Sequence, residues 1–339
     1  MDEGLQVSEA GWETDFAKHT VPLDEFQSGG PGKDGIPAVE HPTFVSVTDA
    51  DEWLADREPV IELEVGGTAR AYPLQILIWH EIVNDTVAGT PVAVTFCPLC
   101  NTALVFDRRV DGRALDFGTT GNLRNSDLVM YDRQTETWWQ QFGGEGVIGE
   151  LAGKKLRQLP ARILAWEDFA ARHSDGGVLS RDTGFSRPYG QNPYTGYDDV
   201  DSGPFFGAAN EGDKRLPPKE RVVYIERGED SVAVPLSWLA LEKRLVVEVG
   251  GEKLEVVFAG TASSALDSAD IAEGRQVGSA EVRSLATKES VAFDQPFWFA
   301  VAAFRPDVRV VGRSVAAKAA EVEPAPTLKG PTTGRVITQ

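Results

Sequence analysis

Two stretches of the chain repeat one another at an offset of 162 residues, and that repeat restricts the fold more than any other feature. Laid without a gap, Glu58 falls on Glu220 and Leu104 on Leu266. The identical pairs are spread along the whole diagonal. They include Val60/Val222, Gly66/Gly228, Pro73/Pro235, Leu77/Leu239, Gly89/Gly251, Phe96/Phe258 and Ala103/Ala265. Turn and core residues that coincide along so long a diagonal indicate one unit used twice.

Each copy has the same pattern. An alternating run (VIELEV or VVYIER) meets a glycine turn, and a second short strand follows. A proline, Pro73 or Pro235, then opens a short helix, where a missing N–H costs nothing. Another hairpin closes the unit, and Asp111-Gly112 marks a further turn. A longer helix is expected at 163–174. The expected class is therefore α+β, predominantly β, with two tandem related units and short helices. The organisation reads as an irregular arm at 1–57, a site-bearing unit at 58–183 and a Gly/Pro/Tyr-rich connection at 184–218. A second, degenerate unit at 219–320 and a flexible tail at 321–339 complete it. The connection carries Tyr189, Tyr194 and Tyr197, three of the six tyrosines. This predicts an ordered loop packed over something, with the site beneath it.

Composition excludes some functions. Lys and Arg number 33 against 52 Asp and Glu, a net charge of −19, so an electrostatic nucleic-acid binder is ruled out. No apolar run is long enough for a transmembrane helix. The first residues, MDEGLQVSEAGWETDF, have neither a basic nor an apolar signal region, which by itself gives a cytoplasmic expectation.

The copies differ where chemistry would sit. His80 aligns with Glu242, Cys97 with Ala259 and Cys100 with Ala262. The only two cysteines lie in Cys97-Pro98-Leu99-Cys100, at the end of a predicted strand. That spacing points both sulfurs at one ion across a turn, and it also permits a reducible disulfide. A metal centre is the leading expectation, with His80, Cys97 and Cys100 as ligands. One imidazole and two thiolates leave an open position, which suits zinc or copper, in a redox or metal-handling role. The implied partner is a metal ion or a small molecule. A thiol–disulfide oxidoreductase is the first alternative, and the absence of a following helix weighs against it. A non-catalytic exported module stapled by a disulfide is the second.

Other polar groups gather nearby. Glu81 follows His80, and Asn101 follows Cys100. Gly118 through Asp127 reads as a small polar loop in which Arg124 can clamp a carboxylate or phosphate. Glu81, Asn101, Arg124, Asp127 and Tyr194 are the expected outer or ligand-facing groups.

The strings Trp79-His80-Glu81-Ile82-Val83-Asn84-Asp85, Thr95-Phe96-Cys97-Pro98-Leu99-Cys100-Asn101, Gly118-Thr119-Thr120-Gly121 and Asn125-Ser126-Asp127-Leu128 occur in this order. Together with Thr137-Trp138-Trp139-Gln140 they resemble the DUF3179 family, a domain of unknown function. The resemblance runs from about Asp34 to about Asp199 and on through the second copy. It implies an extracytoplasmic setting, with an exported or lipid-anchored start, and it carries no assigned reaction.

Overall fold

Strands take 41% of the structure and helices 12%, arranged as five small sheets in a propeller-like ring. The structure, a computed structural model, describes residues 7–314. The tail expected at 321–339 lies outside the described residues. Among the described residues no helix is long and apolar enough to cross a membrane.

The first unit opens with the hairpin Pro59–Val65/Thr68–Pro73, in register from Val60↔Pro73 to Val65↔Thr68. Pro73 caps the helix Leu74–His80, which buries Leu74, Ile76, Leu77 and Ile78. Strands Ile82–Val87, Thr90–Cys97 and Thr102–Asp107 follow as a meander. The second unit repeats this succession. Hairpin Val222–Arg227/Asp230–Pro235 leads into helix Leu236–Glu242, then strands Arg244–Val249 and Glu252–Ser263. Most of these element starts fall at the offset of the sequence repeat, as in Leu74 and Leu236, or Thr90 and Glu252.

Individual bonds recur with the elements. Glu58 accepts from Gln75 in one unit, and Glu220 accepts from Ser237 in the other. Phe96 N–H donates to Glu81 O at 2.8 Å, and Phe258 N–H to Lys243 O at 2.9 Å. Glu81 (φ 58°) and Lys243 (φ 63°) both occupy the left-handed region. The strain therefore belongs to the shared helix-to-strand turn rather than to either side chain.

Some expectations change. Residues at the start are not a loose arm: Phe26–Ser28 extends the sheet of Phe117–Arg124, and Phe44–Ser46 pairs with Gly177–Leu179. Trp12 packs edge-on against Tyr131 and Trp138 at 4.9 and 5.1 Å, which gives this segment an aromatic anchor. The helix expected at 163–174 covers only Trp166–Arg172, because Ala161–Ala165 is a strand paired to Pro59–Val65. The polar segment at 118–127 is also a strand, Phe117–Arg124, turning through Asn125-Ser126 into Asp127–Asp132. Its polarity is internally satisfied, for Thr120 Oγ1 donates to Val129 O at 2.6 Å. Gly121 (φ 75°) makes the kink, and a Cβ there would lie 1.9 Å from Pro31 O. The connection at 184–218 contains no strand or helix.

One apolar core spans both units. It joins Leu77, Phe96, Cys97, Cys100 and Leu104 to Tyr224, Phe297, Trp298 and Val301. The cysteine turn therefore sits inside the molecule, between the two halves.

Candidate metal centre

Cys97 ends the strand Thr90–Cys97, and the turn Pro98–Asn101 returns the chain to Thr102, the register partner of Cys97. Asn101 takes the left-handed position of that turn (φ 56°), a conformation asparagine tolerates. From the neighbouring sheet the Asn125-Ser126 turn delivers Asp127. Cys97, Cys100 and Asp127 place their ligand atoms within 4.8 Å of one another. All three are buried, and both cysteines are free thiols. The Cys100 thiol donates to Ser126 O at 3.1 Å. Asp127 Oδ2 accepts from Gln140 Nε2 at 2.5 Å and from Phe142 N at 2.8 Å.

The second unit holds the turn from behind. Phe297 N–H donates to Cys100 O at 2.8 Å, and Asn101 Nδ2 donates to Gln295 O at 2.8 Å. Ala103 N–H donates to Asp294 Oδ1 at 3.0 Å, while Asp294 Oδ2 is buried without a partner among the described residues.

The electrostatics of this place are one-sided. Burial pushes the Cys97 thiol up and the Cys100 thiol well up. Burial also raises Asp127 to about 6, Asp294 to about 7 and Glu81 to about 8. The charge of Asp127 adds to the effect on Glu81 and on Asp294. No Lys or Arg is among the groups that dominate these five shifts; the charged groups among them are acids of the cluster itself. Such a pocket must retain its protons or accept a positive ion.

The expected site residues fall into distinct places. His80 does not join the two sulfurs. Its Nδ1 lies 2.7 Å from Pro37 O and its Nε2 2.6 Å from Tyr189 Oη, so both ring nitrogens are engaged elsewhere. The carboxylate of Asp127, expected in the outer shell, is the group that lies with the two sulfurs. Arg124 is no free clamp: it pairs with Glu25 at 2.6 Å and reaches Gln140 Oε1 at 3.4 Å, one side chain removed from Asp127. Tyr194 lies close enough to Glu81 and Cys97 for their charges to push its phenol up. Tyr197 donates to Leu99 O at 2.9 Å within the cysteine turn. The connecting loop thus packs on the centre at several points. Asp294, Gln295 and Phe297 escaped sequence reading, because nothing local in Asp-Gln-Pro-Phe points to a turn almost two hundred residues away.

A family model described as a protein of unknown function (DUF3179) matches residues 33–308. The chain belongs to the DUF3179 family. The match spans both units of this DUF3179 protein and all of the site residues above. No curated protein and no solved structure matches the chain.

Proposed function

We propose that Cys97, Cys100 and Asp127 bind a transition-metal ion, copper or zinc, in a redox or metal-handling role. The observation that carries this reading is the cluster of buried thiols and acids, with no Lys or Arg among the described residues pairing with Asp127. A bound ion would supply the missing positive charge and deprotonate the thiols, offsetting the cost of burying them. Two soft thiolates favour copper or zinc over harder ions. Three protein ligands leave a position for water or a small molecule, with Glu81 beside it. Gln140 and Phe142 N–H fix the Asp127 carboxylate, as supporting shells around metal ligands do.

The reading is tested by anaerobic titration of the reduced protein with cobalt(II), followed through the thiolate-to-metal absorption band. One equivalent should saturate the wild type, and Asp127→Ala should weaken the uptake. Identical titrations of wild type and Asp127→Ala would remove Asp127 from the ligand set.

A second reading is a thiol–disulfide oxidoreductase. It is favoured by two free thiols whose sulfurs lie within 4.8 Å of one another. It is disfavoured by their upward pKa shifts, since the thiolate is the attacking species. The stapled-module alternative needs a disulfide, and the cysteines described are free.

We also infer that the two units descend from one duplicated ancestor, with the reactive side chains kept in the first. The coincident element starts and the paired Glu58/Glu220 and Glu81/Lys243 turn bonds support it. The extracytoplasmic setting rests on family resemblance alone.

A further inference from the structure

His80 is buried and polarised, yet it lies outside the thiol cluster. Its Nδ1–H donates to Pro37 O, which leaves Nε2 as an acceptor. Tyr189 O–H donates to that nitrogen at 2.6 Å, and Thr183 Oγ1 lies 2.6 Å from Tyr189 Oη. The hydroxyl chain is thus ordered from the loop inward to a neutral imidazole. Burial and the neighbouring Arg187 charge both hold that imidazole below its ordinary pKa.

Arg187 is the unusual member. Its charge acts on both His80 and Tyr189, so it stands beside this chain of hydroxyls. The protein carries 52 acidic residues against 33 basic ones. Among the described residues, however, the Arg187 guanidinium has no carboxylate partner, and its Nε is buried and unbonded. A guanidinium so placed retains a desolvated Nε–H, beside its Nη donors, for a planar or tetrahedral oxyanion. The exposed ring of Phe185 lies 5.5 Å from the His80 ring and gives the place an apolar wall. Gly184 (φ 82°) and Gly190 (φ 94°) bracket the segment and supply the turns that fold it back onto His80.

We infer that Arg187, with Thr183 and the Tyr189–His80 pair, forms a binding site for the carboxylate or phosphate group of a small molecule. The guanidinium takes two of the oxygens. The Thr183 hydroxyl rotates from Tyr189 to a third contact, and His80 fixes the direction of the Tyr189 hydroxyl. This assigns a role to His80 that metal ligation leaves unused. The same loop continues to Tyr194 and Tyr197 at the cysteine turn, so a ligand held here lies next to the centre.

The test is calorimetric titration of the full chain in low-chloride buffer, with inorganic phosphate and with acetate as separate probes. Saturable one-site binding of at least one probe is expected. Phosphate alone identifies a phosphate group, acetate alone a carboxylate, and both together a general oxyanion site. Arg187→Ala should weaken binding by ~10-fold or more, and Arg187→Lys should restore part of it. Thr183→Val provides a second, milder loss if Arg187→Ala does not fold. The Cys97→Ser/Cys100→Ser variant should bind the probe as the wild type does, whatever becomes of the metal. No saturable binding of either probe to the wild type, or equal binding by a folded Arg187→Ala protein, would overturn the assignment.

Discussion

Two buried aspartates stand beside aligned residues of the repeat, Asp127 near Thr102 and Asp198 at Ser264, and the two are treated in opposite ways. Asp198, in the connection, accepts from Ser264 of the second unit and is paired with Arg221 at 2.9 Å and with Arg275. Those partners outweigh the opposing effect of burial and hold its carboxyl below the usual range. In the first unit Thr102, which aligns with Ser264, lies 3.5 Å from Asp127. Among the described residues no arginine pairs with that carboxyl, and burial lifts it to about 6. Asp198 is therefore part of the frame, complete within the chain. Asp127 is a charge left open. The chain can neutralise a buried acid, as Arg221 and Arg275 do for Asp198, and at the cysteine turn it does not.

Removing Arg221 should give the largest effect. Arg221→Met leaves Asp198 buried with weakened pairing and should cost about 3–5 kcal/mol in chemical denaturation, as for other broken buried pairs. A cost within experimental error would mean that Arg275 alone suffices and would narrow the contrast. Next is the support of Asp127. Gln140→Leu removes a hydrogen bond to its carboxylate and should lower metal affinity by about 10-fold or more in a competition assay with a chelator.

The pH dependence comes third. Asp127, Asp294 and Glu81 have folded-state pKa values of about 6, 7 and 8, all above their ordinary values. Between the ordinary and the raised values the folded state binds more protons than the unfolded one. The stability of the metal-free protein must then fall as pH rises from about 4 to about 8. Thermal unfolding of metal-free protein should show a higher midpoint at pH 5 than at pH 8, and Asp127→Asn should flatten the slope. A midpoint that rises with pH across that window would contradict the raised values. The smallest effect is Asp127→Asn on metal-free stability at neutral pH. No cation partner is lost, and an amide can still accept from Phe142 N–H, so the change should stay within about 1 kcal/mol.

What was legible in the sequence follows from the range of each interaction. Hairpins, the proline-opened helices and the offset between units depend on local pattern, and they appear where the repeat places them. Cys97 and Cys100 were legible because their spacing and the turn between them are local. His80 was expected beside the two cysteines, and its hydrogen-bond partners, Pro37 and Tyr189, lie 43 and 109 residues away, out of reach of local pattern. The segment at 118–127 looked like a loop because Thr119, Thr120 and Asn122 are polar, yet all three are buried within a paired strand. The unpaired state of Asp127 is a property of everything around it and has no signature in its neighbours along the chain.

The central claim is that the open charge at Asp127 and the two thiols takes a metal ion. Its most direct test is elemental analysis of anaerobically purified protein beside the Cys97→Ser/Cys100→Ser variant, with thiols counted in both. The account predicts about one equivalent of copper or zinc in the wild type and none in the variant. A metal-free wild type that takes up neither ion on reconstitution, with a readily reversible disulfide between Cys97 and Cys100, would contradict it and favour thiol exchange.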